Sequence, residues 1–120
     1  SAKLGQIMRL RPGAPRAGSA ADRLQLFVES RGKTMLDFGD NLTVAPTGHL
    51  VVCEDQYTDV VANRLIGVTP AGATYVLGAL KTPTELAGAC FSPDGRTLYV
   101  NAYSPAKTLA ITGPWQTVVQ

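Results

Sequence analysis

Short apolar runs alternate with clusters of Gly, Pro and small polar residues along the whole chain. Runs of this length that are bounded by turn-forming residues are typical of β-strands. Nine strands are predicted, over residues 5–10, 24–28, 42–45, 50–53, 64–69, 74–77, 87–91, 98–100 and 108–111. One weak helical pattern, over residues 14–26, contains Pro15 and Gly18, which both oppose a helix. The pattern therefore predicts an all-β fold.

One strand–turn–strand pattern occurs twice. Residues 44–48 (VAPTG) match residues 91–95 (FSPDG) at an offset of 47 residues, and an apolar strand follows each of them. A period in the forties with about four strands per repeat is typical of β-propeller blades. An unrelated all-β sandwich with accidentally similar turns is the alternative interpretation.

Strand counting divides the chain into three parts. Residues 1–38 hold the end of one blade and a connection, residues 39–80 a full four-stranded blade, and residues 81–120 most of a further blade. This amounts to about two blades, whereas closed propellers have about four to eight. We therefore expect a partial β-propeller domain, which is either a piece of a longer protein or a subunit that closes a ring with copies of itself.

A propeller arrangement gathers six polar side chains at one mouth of its central channel. The first strand of a blade lies nearest the axis and successive strands alternate in direction. Residues that enter the first strand and residues that leave the second therefore share one end of the ring. These residues are Asp40, Asn41, Glu54, Asp55, Glu85 and Asn101.

Clustered carboxylates repel one another, and a bound cation relieves this repulsion. Calcium accepts the carboxylate and amide oxygens that such a cluster offers. The alternative is that these residues only cap turns and begin solvated loops. Arg64 begins the next strand at the same mouth, where it either binds an anionic ligand or faces solvent.

Composition narrows the classes of function. The chain has 120 residues, of which 45% are apolar and 17% charged, enough apolar material for a core and too little charge for a disordered tail. The net charge of +2 includes no basic run, so we expect no nucleic-acid partner. No apolar stretch approaches the roughly 20 residues of a membrane helix, so we expect no membrane partner, and no secretory signal is recognisable.

The two cysteines and the single histidine indicate no specific disulfide or metal site. Cys53 and Cys90 both lie inside apolar runs, where a free cysteine usually behaves as a small buried hydrophobe. A disulfide would require the two runs to be adjacent with suitable geometry. His49 is the single histidine and no paired C-x-x-C motif occurs, which excludes a structural zinc site.

Five linked segments of this sequence resemble the C-terminal part of the PhoX-type alkaline phosphatase family. They are DNLTVAP (40–46), LVVCED (50–55), NRLIGVTP (63–70), ELAGACFSPDG (85–95) and LAITGPW (109–115). The resemblance covers about residues 3–115. Gly39 departs from the family pattern, which often has Pro before the Asp-Asn pair, and this loosens the approach to the first strand.

The resemblance implies a six-bladed propeller enzyme, exported to the bacterial periplasm or secreted, that hydrolyses phosphomonoesters with calcium and iron. At the matching positions it implies Asp40, Asn41, Glu54 and Glu85 as metal-binding residues of the channel, with Glu54 and Glu85 the best candidates. The resemblance assigns no catalytic residue. Because the family's full metal site also draws on further blades, we expect the isolated chain to be inactive.

Three hypotheses about function remain open from the sequence. The first is the C-terminal part of a PhoX-like phosphatase, whose substrate is a phosphate ester. The second is a two-blade subunit that oligomerises, for example as a trimer, and serves as a binding or scaffold module. The third is a propeller fragment that has no function of its own.

Overall fold

In the computed structural model, residues 4–13, 21–56 and 62–117 are described, and they form β-strands and no helix. The strands are β1 (Gln6–Arg11), β2 (Arg23–Glu29), β3 (Gly39–Val44), β4 (Leu50–Glu54), β5 (Arg64–Val68), β6 (Thr74–Ala79), β7 (Leu86–Phe91), β8 (Thr97–Ala102) and β9 (Lys107–Thr112). No helix that could cross a membrane occurs in these described ranges. The residues 14–20 of the weak helical pattern lie outside them.

The strands form three antiparallel sheets with two, four and three members. The first sheet is β1-β2, the second is β3-β4-β5-β6 and the third is β7-β8-β9, so that within each sheet the strands pair in chain order. The predicted all-β fold is confirmed, and each predicted strand overlaps one strand of the structure. That the three sheets are blades of a propeller stays a prediction.

The two repeated turn segments form matching hairpins. In the β3–β4 turn, Gly48 donates its backbone N–H to the carbonyl of Ala45 at 2.8 Å, and in the β7–β8 turn Gly95 donates to Ser92 at the same distance. Both glycines have a positive φ, 82° and 69°, a backbone conformation that residues other than glycine rarely adopt. The sequence repeat therefore corresponds to a repeated backbone structure.

The second sheet lies between the other two and is packed on both faces. The layer shared with the first sheet contains Ile7, Val28, Leu36, Val52, Ile66 and Val68. The layer shared with the third sheet contains Ala45, Val51, Cys53, Leu65, Leu86, Leu98 and Val100. Because side chains alternate along a strand, adjacent residues of β4 enter different layers, which explains why this strand is continuously apolar.

The outward face of the first sheet carries four large apolar side chains. Met8 lies opposite Leu26 and Leu10 lies opposite Leu24 in the β1–β2 ladder. These four side chains are between 45% and 67% exposed. Transferring such side chains out of water stabilises a protein by roughly 1.5–3 kcal/mol each. Covering this outward face with another apolar surface would therefore stabilise the chain further.

The two thiols differ in environment. Cys53 is completely buried between the second and third sheets, whereas Cys90 is exposed, and neither forms a disulfide. The expected burial is confirmed for Cys53 and wrong for Cys90. Cys90 pairs with the exposed Tyr99 on the outward face of the third sheet, and no described strand packs on that face.

Candidate metal centre

Two β-bulges shape one end of the second and third sheets. The β3–β4 ladder pairs Gly39 with Glu54 and Asn41 with Cys53, which leaves Asp40 as the additional residue. The β7–β8 ladder has a similar irregularity where Gly88 adopts a φ of 62°. A bulge changes the direction of the side chains that it carries. The first strands of both sheets are therefore irregular at the end where the polar residues lie.

The two bulges contact each other directly. The backbone N–H of Gly88 donates to Oδ1 of Asn41 at 2.8 Å, and these residues are 47 positions apart, the offset of the sequence repeat. Asn41 also donates through Nδ2 to Oδ2 of Asp40 at 3.0 Å. Asn41 thus links the two sheets and orients the neighbouring carboxylate.

Three carboxylates converge beside the bulges. Asp40 lies in the β3 bulge, Asp55 follows β4 directly and Glu85 precedes β7 directly. Their ligand oxygens all lie within 4.8 Å of one another. We call these three residues the acidic cluster. Asp40 is exposed, and the other two are half-buried.

The acidic cluster is electrostatically unfavourable when it is fully ionised without a cation. Burial, with a further contribution from the charge of Asp40, raises the pKa of Asp55. Burial, followed by the charges of Asp55 and Asp40, raises the pKa of Glu85. Like charges that share a site disfavour ionisation in this way, and a cation bound among them would reverse the effect.

Two of the four predicted metal ligands lie in the acidic cluster. Asp40 and Glu85 lie in the acidic cluster, where they are joined by Asp55. Asn41 and Glu54 lie close by but are engaged in other hydrogen bonds, so their assignment as ligands stays a prediction. The sequence could have identified Asp55 as a candidate ligand, because this residue directly follows β4 and so lies at the same end of the sheet as Asp40.

Glu54 forms a buried ion pair with Arg64. The Glu54 side chain is 2% exposed, and its carboxylate accepts hydrogen bonds from Nη2 and Nε of Arg64 at 2.6 and 2.7 Å. The backbone N–H of Asp37 donates to the same carboxylate at 2.8 Å. The hydrogen bonds that Arg64 donates to Glu54 raise the pKa of Arg64. Sequence reasoning missed this pairing, having assigned Arg64 either to an anionic ligand or to solvent.

Arg64 also fixes the connection between the first and second sheets. Its guanidinium donates to the carbonyls of Lys33 and Thr34 at 2.6 and 3.1 Å. Farther along this connection, the carbonyl of Phe38 accepts a hydrogen bond from the backbone N–H of Asp55 at 2.8 Å. The ion pair anchors the start of this connection to β4 and β5, and the separate Asp55–Phe38 hydrogen bond fixes its end, two residues before Asp40.

The corresponding position in the third sheet carries a neutral pair. Asn101 lies 47 residues after Glu54, and its Oδ1 accepts a hydrogen bond from the hydroxyl of Thr108 at 2.8 Å. Asn101 is exposed and lines a shallow cavity together with Glu85, and its expected place in the group of six polar side chains stays a prediction. The second and third sheets thus both use this position to join their second and third strands.

The fold and the site define an all-β protein of stacked antiparallel sheets with a carboxylate cluster at one end. A family model described as alkaline phosphatase PhoX matches residues 1–106. The chain therefore belongs to the alkaline phosphatase PhoX family, which confirms the resemblance seen in the sequence. Searches of curated proteins and of solved structures found no match.

Proposed function

We propose that this chain is part of a phosphomonoester hydrolase in which the acidic cluster holds a hard cation such as calcium. The observation that carries the proposal is the convergence of three carboxylates within 4.8 Å in a member of the PhoX family. The donor set consists of oxygens, which suits calcium better than iron. Iron is implied by the family alone, as is a location in the periplasm or outside the cell.

Each residue near the acidic cluster has a distinct part in this proposal. A bound cation would polarise phosphoryl oxygens of the ester and stabilise the charge of the transition state. Asp40, Asp55 and Glu85 would fix its position, and Asn41 orients the carboxylate of Asp40. Burial raises the pKa of the neighbouring Cys53 to about 11, and a hard cation such as calcium prefers the carboxylate oxygens to this sulfur. We assign no nucleophile to this chain.

Calcium binding tests the acidic cluster. We expect calorimetry to show that Asp55→Asn and Glu85→Gln each weaken calcium binding by at least about tenfold, because each removes a charged ligand. Asp94→Asn is the matched control, since Asp94 lies in the β7–β8 turn and bonds Ser92 and the backbone of Arg96. Equal calcium affinity in all three variants and the native chain would contradict the proposal.

We further propose that the three sheets are blades of a larger propeller and that hydrolysis belongs to the assembled ring. The four-stranded second sheet, the 47-residue repeat and the apolar outward face of the first sheet support this arrangement. In the assembled ring a further blade would cover Met8, Leu10, Leu24 and Leu26. This is the arrangement in which the chain forms the C-terminal part of a phosphatase.

The same apolar face supports the second candidate, a subunit that forms the ring with its own copies. A contact between the outward faces of the first and third sheets is heterologous, and such contacts generate closed rings when the rotation permits. We expect light scattering coupled to size exclusion to show a trimer if this candidate is correct. A monomer at all accessible concentrations would rule it out and leave the larger propeller.

A further inference from the structure

A cavity of about 170 Å³ lies between the second and third sheets. It is found at the turn end of β3, whereas the acidic cluster lies at the opposite end of that strand. Its apolar wall includes Val51 and Leu77 from the second sheet, together with Pro114 and Trp115 from the segment after β9. The indole of Trp115 is fixed by a 3.0 Å hydrogen bond from Nε1 to the carbonyl of Ile111.

Besides Thr47 and Thr117, which also line the cavity, one hydrogen-bonded pair of polar side chains interrupts this apolar wall. The hydroxyl of Tyr75 lies 2.8 Å from Nδ1 of His49, and the two rings meet edge to face with centroids 5.7 Å apart. His49 is only 8% exposed. Burial raises the pKa of Tyr75, so its phenol stays protonated. A phenolic oxygen both donates and accepts, so the contact with His49 leaves one hydrogen-bonding function for a ligand.

The size and chemistry of the cavity define what it accepts. Among the residues that the structure describes, no charged side chain lines it, which makes it unsuited to phosphate esters. An apolar cavity of roughly 150 Å³ accommodates one benzene ring. The volume here is thus that of one six-membered ring with a small substituent.

We propose that this cavity is a binding site for an uncharged, single-ring molecule that carries one hydroxyl or carbonyl group. The ring packs against Leu77 and Trp115, and the oxygen hydrogen-bonds to Tyr75. The site is separate from the acidic cluster and independent of the proposed hydrolase activity. It lies wholly within this chain, between two sheets that are both described.

Trp115 is the single tryptophan of the chain, so its fluorescence reports directly on this cavity. We expect cyclohexanol to change this fluorescence saturably, with a dissociation constant on the order of 1 mM. Cyclohexane, which lacks the hydroxyl, is the comparison probe. Tyr75→Phe should weaken cyclohexanol binding about fivefold and leave cyclohexane binding unchanged, because it removes one hydrogen bond.

Two further variants complete the test. Leu77→Phe fills the cavity and should weaken both probes, whereas Tyr99→Phe, on the outward face of the third sheet, should change neither. Tyr75→Phe removes a single oxygen and should fold normally. It therefore tests the proposal by itself, even if Leu77→Phe fails to fold. The absence of a saturable response, or unchanged cyclohexanol affinity in Tyr75→Phe, would overturn the proposal.

Discussion

Replacing Arg64 with leucine is expected to lower the free energy of unfolding by about 3–5 kcal/mol, because the carboxylate of Glu54 remains buried without its cation. The substitution also removes four hydrogen bonds that the guanidinium donates. The nearby Asp37 is buried as well and adds to the uncompensated negative charge. Since small domains are stable by only about 5–15 kcal/mol, urea denaturation should show a much earlier transition.

Two controls separate the ion pair from a general loss of charge. Combining Arg64→Leu with Glu54→Leu should restore most of the stability, since an apolar pair leaves no buried charge. Arg9→Leu should cost less than about 1 kcal/mol, because the Arg9 guanidinium bonds the exposed Gln25 and packs on Phe27, at the surface of the first sheet. If Arg64→Leu and Arg9→Leu were equally stable, the ion pair would have no structural role.

Gly67→Ala is expected to destabilise the fold by about 3 kcal/mol, the upper part of the usual cost of overpacking. Gly67 lies directly opposite Tyr75 in the β5–β6 ladder, and a Cβ atom at Gly67 would lie 2.2 Å from Cζ of that ring. Overpacking of a filled site forces side chains away from their preferred rotamers. Displacing the ring also breaks the hydrogen bond between Tyr75 and His49. Thermal unfolding followed by circular dichroism measures the loss.

The same sheet supplies the matched control. Gly78 lies on β6, and a Cβ atom there would meet no atom within 4 Å. Gly78→Ala should therefore be neutral or slightly stabilising, because alanine restricts the unfolded chain. Similar unfolding temperatures for the two variants would show that the Tyr75 ring moves away from Gly67 at little cost.

The strands could be predicted from the sequence because their signals are local. Apolar runs and Gly-containing turns such as those at Gly48 and Gly95 depend on neighbouring residues alone. The exposure of Cys90 depends instead on whether another sheet packs beside the third one. Its apolar neighbours in the sequence carry no information about that packing.

The candidate metal centre was predictable only in outline for a similar reason. Asp40 and Glu85 were identified because both enter the first strand of a sheet. The roles of Asp55 and Glu54 depend on the bulge in β3 and on the hairpin that brings Arg64 beside Glu54. Neither feature changes the apolar pattern, so the sequence identified the end of the sheet but not the partners within it.

The bulge at Asp40 has an evolutionary consequence. Asp40 is the additional residue between two paired positions, Gly39 opposite Glu54 and Asn41 opposite Cys53. A one-codon deletion there would remove a carboxylate of the acidic cluster and leave the pairing of the rest of β3 unchanged. Loss of this carboxylate from the proposed cation site therefore requires no rearrangement of the sheet, and an alignment gap at Asp40 would mark relatives that lack it.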